Sequence, residues 1–289
     1  MALMLLAAAC IGVQAFFVKL ATEYTGAAEI AFLRFSVSYL IVRITMAAGW
    51  VEIRLVNRRL ILARGILGGI GNLLYFYAIA STHLSNAIVL LYTYPIFASL
   101  LSQWLQGVRP SMTVIAALIA SFSGIHLIAH PSFDHLLFGD LLAVLSGIMV
   151  GGAIVSLKES RKTDTAWTIF HYFNITGIVL SFPLVITHWT LPPLHNLGPL
   201  VGVVVFSMLG QIWMTYAYRY CTTAEGSVLS MFGAVVGSAL GILLLDEPTT
   251  PGFVIGSLLV VVSGIYLTLR PSTPTRRGLD SPDHQSEKR

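Results

Sequence analysis

Ten apolar stretches, each close to the length that crosses a lipid bilayer, constrain this chain more than any other feature. A helix needs about 20 mostly apolar residues to span. The stretches cover residues 2–21, 27–48, 60–80, 84–106, 112–130, 137–158, 165–187, 198–220, 226–245 and 251–270. Each is predicted to be helical, because a backbone in hydrocarbon must satisfy its own polar groups. The connections are short and carry turn residues, as in "GVRPS" and "LPPLHNLGP". Composition agrees: 56% of residues are hydrophobic and 10% charged, against about 25% charged in a soluble protein. The first stretch starts at Met1 without a basic leader, so it reads as a retained span. Cys10 and Cys221 stand far apart with no Cys/His cluster, so neither a disulfide framework nor a structural zinc is expected.

The 17 basic residues give the orientation. Arg43, Arg54, Arg58, Arg59 and Arg64 fall around the second connection, Arg109 in the fourth, and Lys158, Arg161 and Lys162 in the sixth. Arg219 is at the eighth, and Arg270, Arg276, Arg277, Lys288 and Arg289 are at the C-terminus. Fifteen therefore share one side, which the positive-inside rule makes cytoplasmic, and both termini lie there. Only Lys19 and Arg34 lie elsewhere. The odd-numbered connections carry the acids and histidines, including Glu23, Glu29, Asp140, Asp246 and Glu247.

The chain also repeats itself. "SLLSQWLQGVRPSMTVIAALIASFSGIHLIA" aligns with "SALGILLLDEPTTPGFVIGSLLVVVSGIYLTL", bringing Leu100 onto Leu240 and Ser123-Gly124-Ile125 onto Ser263-Gly264-Ile265. Upstream, Tyr77-Ala78 meets Tyr216-Ala217. Five spans per copy is an odd number, so the second copy enters the membrane inverted. The expected fold is all-α: two inverted five-helix repeats, 1–133 and 134–270, then a Pro/Ser-rich, disordered cytoplasmic tail, 271–289. Secondary transporters are built this way, with the substrate site near the midplane between the copies.

These features resemble the EamA-type branch of the drug/metabolite transporter superfamily. The likeness rests on "LRF" at 33–35, on "YAIASTHLSNAIVLLYTYPIFASLL" across spans three and four, and on "YAYRYCTTAEGSVLSMFGAVVGSALGILLLDEP" in the second copy. It covers about residues 5 to 270. One departure is Gly107, which stands where the family has an acid after span four; Glu247 matches that acid after span nine. The resemblance implies a carrier that exports or exchanges metabolites across a bacterial inner membrane, without naming the cargo.

Polar side chains at mid-span are costly and therefore candidates for substrate binding. They are Gln14, Asn72, Tyr75, Tyr92, Tyr94, His171, Asn174, Gln211 and Trp213. Helix-to-helix hydrogen bonding is the competing role for each. Lys19, Arg34 and Glu29 form a candidate outer charged cluster, against simple snorkelling of Lys19. Asp246 and Glu247 read first as a helix cap and outer-side marker, with gating as the second reading. Pro95, in the middle of span four, is a candidate hinge. Glycines 65 and 69, 233, 237 and 241, and 252 and 256 read as close-packing seams.

No Walker loop is present, so ATP does not drive the chain directly, and no cofactor or metal site is expected. HExxH and GxSxG motifs are also absent, which argues against an intramembrane enzyme. The expected partners are a small-molecule substrate, the lipid bilayer and a coupling proton or counter-substrate. Nucleic acid is not a partner, and the oligomeric state is monomer or weak homodimer. With Lys19, Arg34 and Lys158 placed toward span ends, the predicted cargo is neutral or zwitterionic, such as an amino acid. The alternative is an exchanger of nucleotide-type or phosphorylated metabolites.

Overall fold

The computed structural model describes residues 1–82, 84–107, 109–129, 137–186, 189, 192–244 and 250–269. Asp246, Glu247 and the tail lie outside the described residues, so the readings made of them stay at sequence level.

The regular secondary structure of the described residues is all helix. The helices are α1 (Ala2–Ala21), α2 (Ala27–Ala47), α3 (Arg58–Ser81), α4 (Leu84–Leu91), α5 (Tyr94–Gln106), α6 (Met112–Ala129) and α7 (Phe138–Ser160), followed by α8 (Ala166–Val185), α9 (Leu197–Ala217), α10 (Thr223–Ser230), α11 (Phe232–Leu244) and α12 (Pro251–Leu269). Among the described residues nine segments are long and apolar enough to cross a membrane, and a shorter apolar helix in α6 makes the tenth. The chain is therefore a ten-span, all-α integral membrane protein. Two spans are broken: the fourth into α4 and α5, the ninth into α10 and α11.

Local chemistry fixes the helix ends. Asn57 accepts a hydrogen bond from the Leu60 N–H at 3.2 Å to start α3, and Thr165 accepts from Thr168 N–H at 3.1 Å to start α8. Thr222 and Glu225 cap α10 reciprocally. Asp140 closes the start of α7, accepting from the Leu137 N–H at 2.9 Å and the Thr82 hydroxyl at 2.7 Å. Gly107, at φ 66°, takes the left-handed conformation that ends α5. Trp50 and Trp104, both 81% exposed at helix ends, suit the headgroup region.

The packing repeats with the sequence. α3 lies along α7 as α9 lies along α1; α5 packs on α7 as α11 packs on α1; α2 pairs with α8 and α6 with α12. The correspondence extends to atoms. Gly12 on α1 faces the Gly233 carbonyl and the Gly237 N–H of α11, and Gly151 on α7 faces the Tyr94 carbonyl and the Ala98 N–H of α5. Each of the second set of positions is related to the first by 139 residues. Gly71 against Val150 and Met149 recurs in the same register as Gly210 against Ile11 and Cys10. Several glycines of the seams read from sequence are close contacts: Gly256 abuts the Gly124 backbone, and Gly65 and Gly69 abut Thr176 and Leu180 of α8.

Candidate functional site

A central cavity of about 780 Å³, counting the part continuous with solvent, lies where α1, α3, α7 and α9 meet the two broken spans. Six of the nine predicted contact residues line it: Gln14, Asn72, Tyr75, Tyr92, Tyr94 and Gln211. The helix breaks place two of these. Span four interrupts at residues 92 and 93, where the Thr93 hydroxyl donates back to the Leu90 carbonyl at 2.6 Å. Pro95 starts the helix that resumes there, so the candidate hinge coincides with the break. Span nine interrupts at Met231 with no proline nearby. The two breaks meet at Ser230, whose hydroxyl hydrogen-bonds the Tyr94 hydroxyl and whose carbonyl accepts from Tyr92 at 3.4 Å.

Three predicted residues lie elsewhere. His171 is buried at the α2–α8 contact, its ring 5.3 Å from that of Tyr39. Asn174 donates to the Phe170 carbonyl of its own helix at 3.0 Å. Trp213 packs among apolar side chains. Glu29 accepts from the Gly26 N–H at 2.9 Å, the contact that caps the start of α2.

The largest departure from expectation is Arg64. The sequence groups its charge with the cytoplasmic arginines around the second connection. In fact α3 begins at Arg58, so Arg64 lies about 9 Å along the helix at 1.5 Å per residue. It is 4% exposed and lines the cavity. Its Nη2 donates to Gln211 Oε1 at 2.8 Å, and its guanidinium lies 4.3 Å from the centroid of the Phe173 ring. Gly68, one turn on, leaves the room: any side chain there would collide with the guanidinium. Arg34, 1% exposed, approaches from α2. Its Nη1 donates to Asn72 Oδ1 at 2.9 Å, its Nε to the Ser207 hydroxyl, and its guanidinium lies 5.4 Å from the same Phe173 ring. The premise that the cavity holds no cation is thus corrected. Fourteen of the 17 basic residues remain on the proposed cytoplasmic side.

The EamA-like transporter family matches this sequence twice, over residues 1–129 and 137–270. The chain belongs to the EamA-like transporter family. This EamA-like protein is 28% identical over 253 residues to the pseudopaline exporter CntI of Pseudomonas aeruginosa, covering 87% of this chain and 89% of the relative. It is 24% identical over 231 residues to human solute carrier family 35 member G1, covering 74% of this chain and 63% of that protein. A solved crystal structure at 18% identity superposes with a TM-score of 0.72 over 91% of this chain and 98% of the other, a likeness of fold. The EamA-like chain is accordingly a multi-pass membrane transporter and not an enzyme.

Proposed function

We propose that this protein exports small carboxylate-bearing metabolites, amino acids being the simplest case, by alternating access across a bacterial inner membrane. The observation that carries this reading is the cavity at the junction of the two broken spans, lined from both halves of the chain. Breaks at a central site free backbone for ligand contact and supply hinges, as in other carriers built from repeats. The halves are inverted relative to each other and both termini are cytoplasmic, a reading supported by the five-span repeat and the arginine distribution. An exporter at 28% identity supports the direction of transport. Gln14, Asn72, Tyr75, Tyr92, Tyr94 and Gln211 contact the cargo, and the break before Pro95 flexes as the cavity changes sides. Arg64 in the cavity wall favours a carboxylate-bearing cargo over a neutral one.

The test is flux in proteoliposomes carrying the purified protein. Uptake of a labelled amino acid should saturate and should accelerate when the same unlabelled compound is preloaded. Flux that rises linearly with concentration and ignores preloading would mean a channel and would refute alternating access.

A further inference from the structure

Arg64 and Arg34 lack the surroundings of architectural cations. A charge held in an apolar interior for structure is normally paired, because removing an unpaired ion from water is costly. Among the described residues no carboxylate pairs with either arginine. Their acceptors are neutral: the amide oxygens of Gln211 and Asn72, and the Ser207 hydroxyl. Arg64 Nε and Arg34 Nη2 are buried with no acceptor at all. Gln211 and Asn72 occupy equivalent places in the two copies, 139 residues apart. The Phe173 ring fixes where both guanidinium groups rest but does not neutralise them. The helices that resume at Tyr94 and Phe232 also begin beside the cavity, and the start of a helix is its positive end.

We propose that this pair is an oxyanion site and that the cargo carries net negative charge on carboxylates. The proposal rests on the transport reading and sharpens it. A carboxylate takes the Nε and Nη2 fork of Arg64, replacing the Gln211 amide oxygen, while Arg34 acts through Asn72. A planar two-oxygen acceptor matches a planar two-donor fork. A phosphomonoester also fits a guanidinium fork, so it is the competing oxyanion in the test. A second carboxylate on the solute balances the second cation.

Binding is measured on the full-length protein in detergent, so the result does not depend on flux. The probes are succinate, glutamate, leucine and glycerol 3-phosphate at matched ionic strength, read as the saturable rise in apparent Tm. Succinate or glutamate should stabilise the wild type, and leucine should not over the same range. Arg64→Gln should weaken that binding by about tenfold or more, the scale of one charge-assisted fork. Its ligand-free Tm should hold or rise, because the variant deletes an uncompensated buried charge. Arg64→Lys should fall between. The proposal is overturned if leucine stabilises as well as both dianion-capable acids, if glycerol 3-phosphate stabilises more than either, or if neither acid stabilises the wild type. It is also overturned if Arg64→Gln binds like the wild type, or if its ligand-free Tm collapses while a folded fraction still binds succinate.

Discussion

The α1–α11 seam sets a sharp test of how tightly the two halves must meet. A methyl group added at Gly12 would stand 2.3 Å from the Gly233 carbonyl oxygen and 3.0 Å from the Gly237 nitrogen. Ordinary carbon-to-oxygen contacts are about 3.3–3.6 Å, so the helices must separate by about 1 Å. The obstacle is backbone, which cannot rotate away. Overpacking of this kind costs about 1–3 kcal/mol, and the higher helix propensity of alanine offsets about 1 kcal/mol. Gly12→Ala should therefore be destabilised by up to about 2 kcal/mol net. Two controls lie in the same protein. A Cβ at Gly237 would meet its nearest neighbour at 3.4 Å, and one at Gly198 would meet nothing within 4 Å. Both alanine variants should match or exceed wild-type stability. The assay is the apparent Tm of purified protein by tryptophan fluorescence. Equal stability of Gly12→Ala and Gly198→Ala would refute the reasoning.

Three further outcomes are expected. Asp164 accepts from the Val56 N–H at 2.7 Å and the Asn57 N–H at 3.1 Å, pinning residues 51–57 to the start of α8. Asp164→Ala should cost about 2–3 kcal/mol, the penalty for stranded donors, and should speed tryptic cleavage at Arg54; an unchanged digestion rate would count against the pin. The Cys221 thiol, outside the spans, is pushed up to about 12 by burial. Because the thiolate is the reactive form, it should resist maleimide at pH 7 until the protein is denatured. With Cys10 buried as well, a cysteine at Glu23 should react with an impermeant reagent on intact cells and one at Ser111 should not; the reverse pattern would invert the proposed topology.

Span positions were legible in the sequence because length and apolarity are properties of the chain alone. The predicted limits of 84–106 for span four bracket α4 and α5, and Pro95 marked the break between them. The break at Met231 carried no proline and was not foreseen. Depth along a helix was also legible, since rise per residue is fixed. The direction a side chain faces was not. A spanning helix meets apolar lipid on one side and apolar protein on the other, so hydrophobic periodicity is faint. His171, Asn174 and Trp213 thus sit at sensible depth but outside the cavity lining. Arg64 was missed for another reason: Arg54, Arg58 and Arg59 stand just before it and absorbed its charge into the interface count. The available signal was local, an arginine followed four residues later by Gly68, which leaves a bed for the guanidinium against its own helix.

The unpaired state of Arg64 bears on leakage. When a carrier closes, it withdraws the cavity from water and strips hydration from whatever charge is inside. Closing on an empty cavity leaves a guanidinium with only neutral partners, whereas closing on a bound anion leaves a neutralised pair. In the proposed cycle the unloaded protein is slow to reorient, and cargo releases the brake. A charge without a partner thus works as a lock against idling: the vacant carrier waits on one side of the membrane until a solute of the right sign arrives.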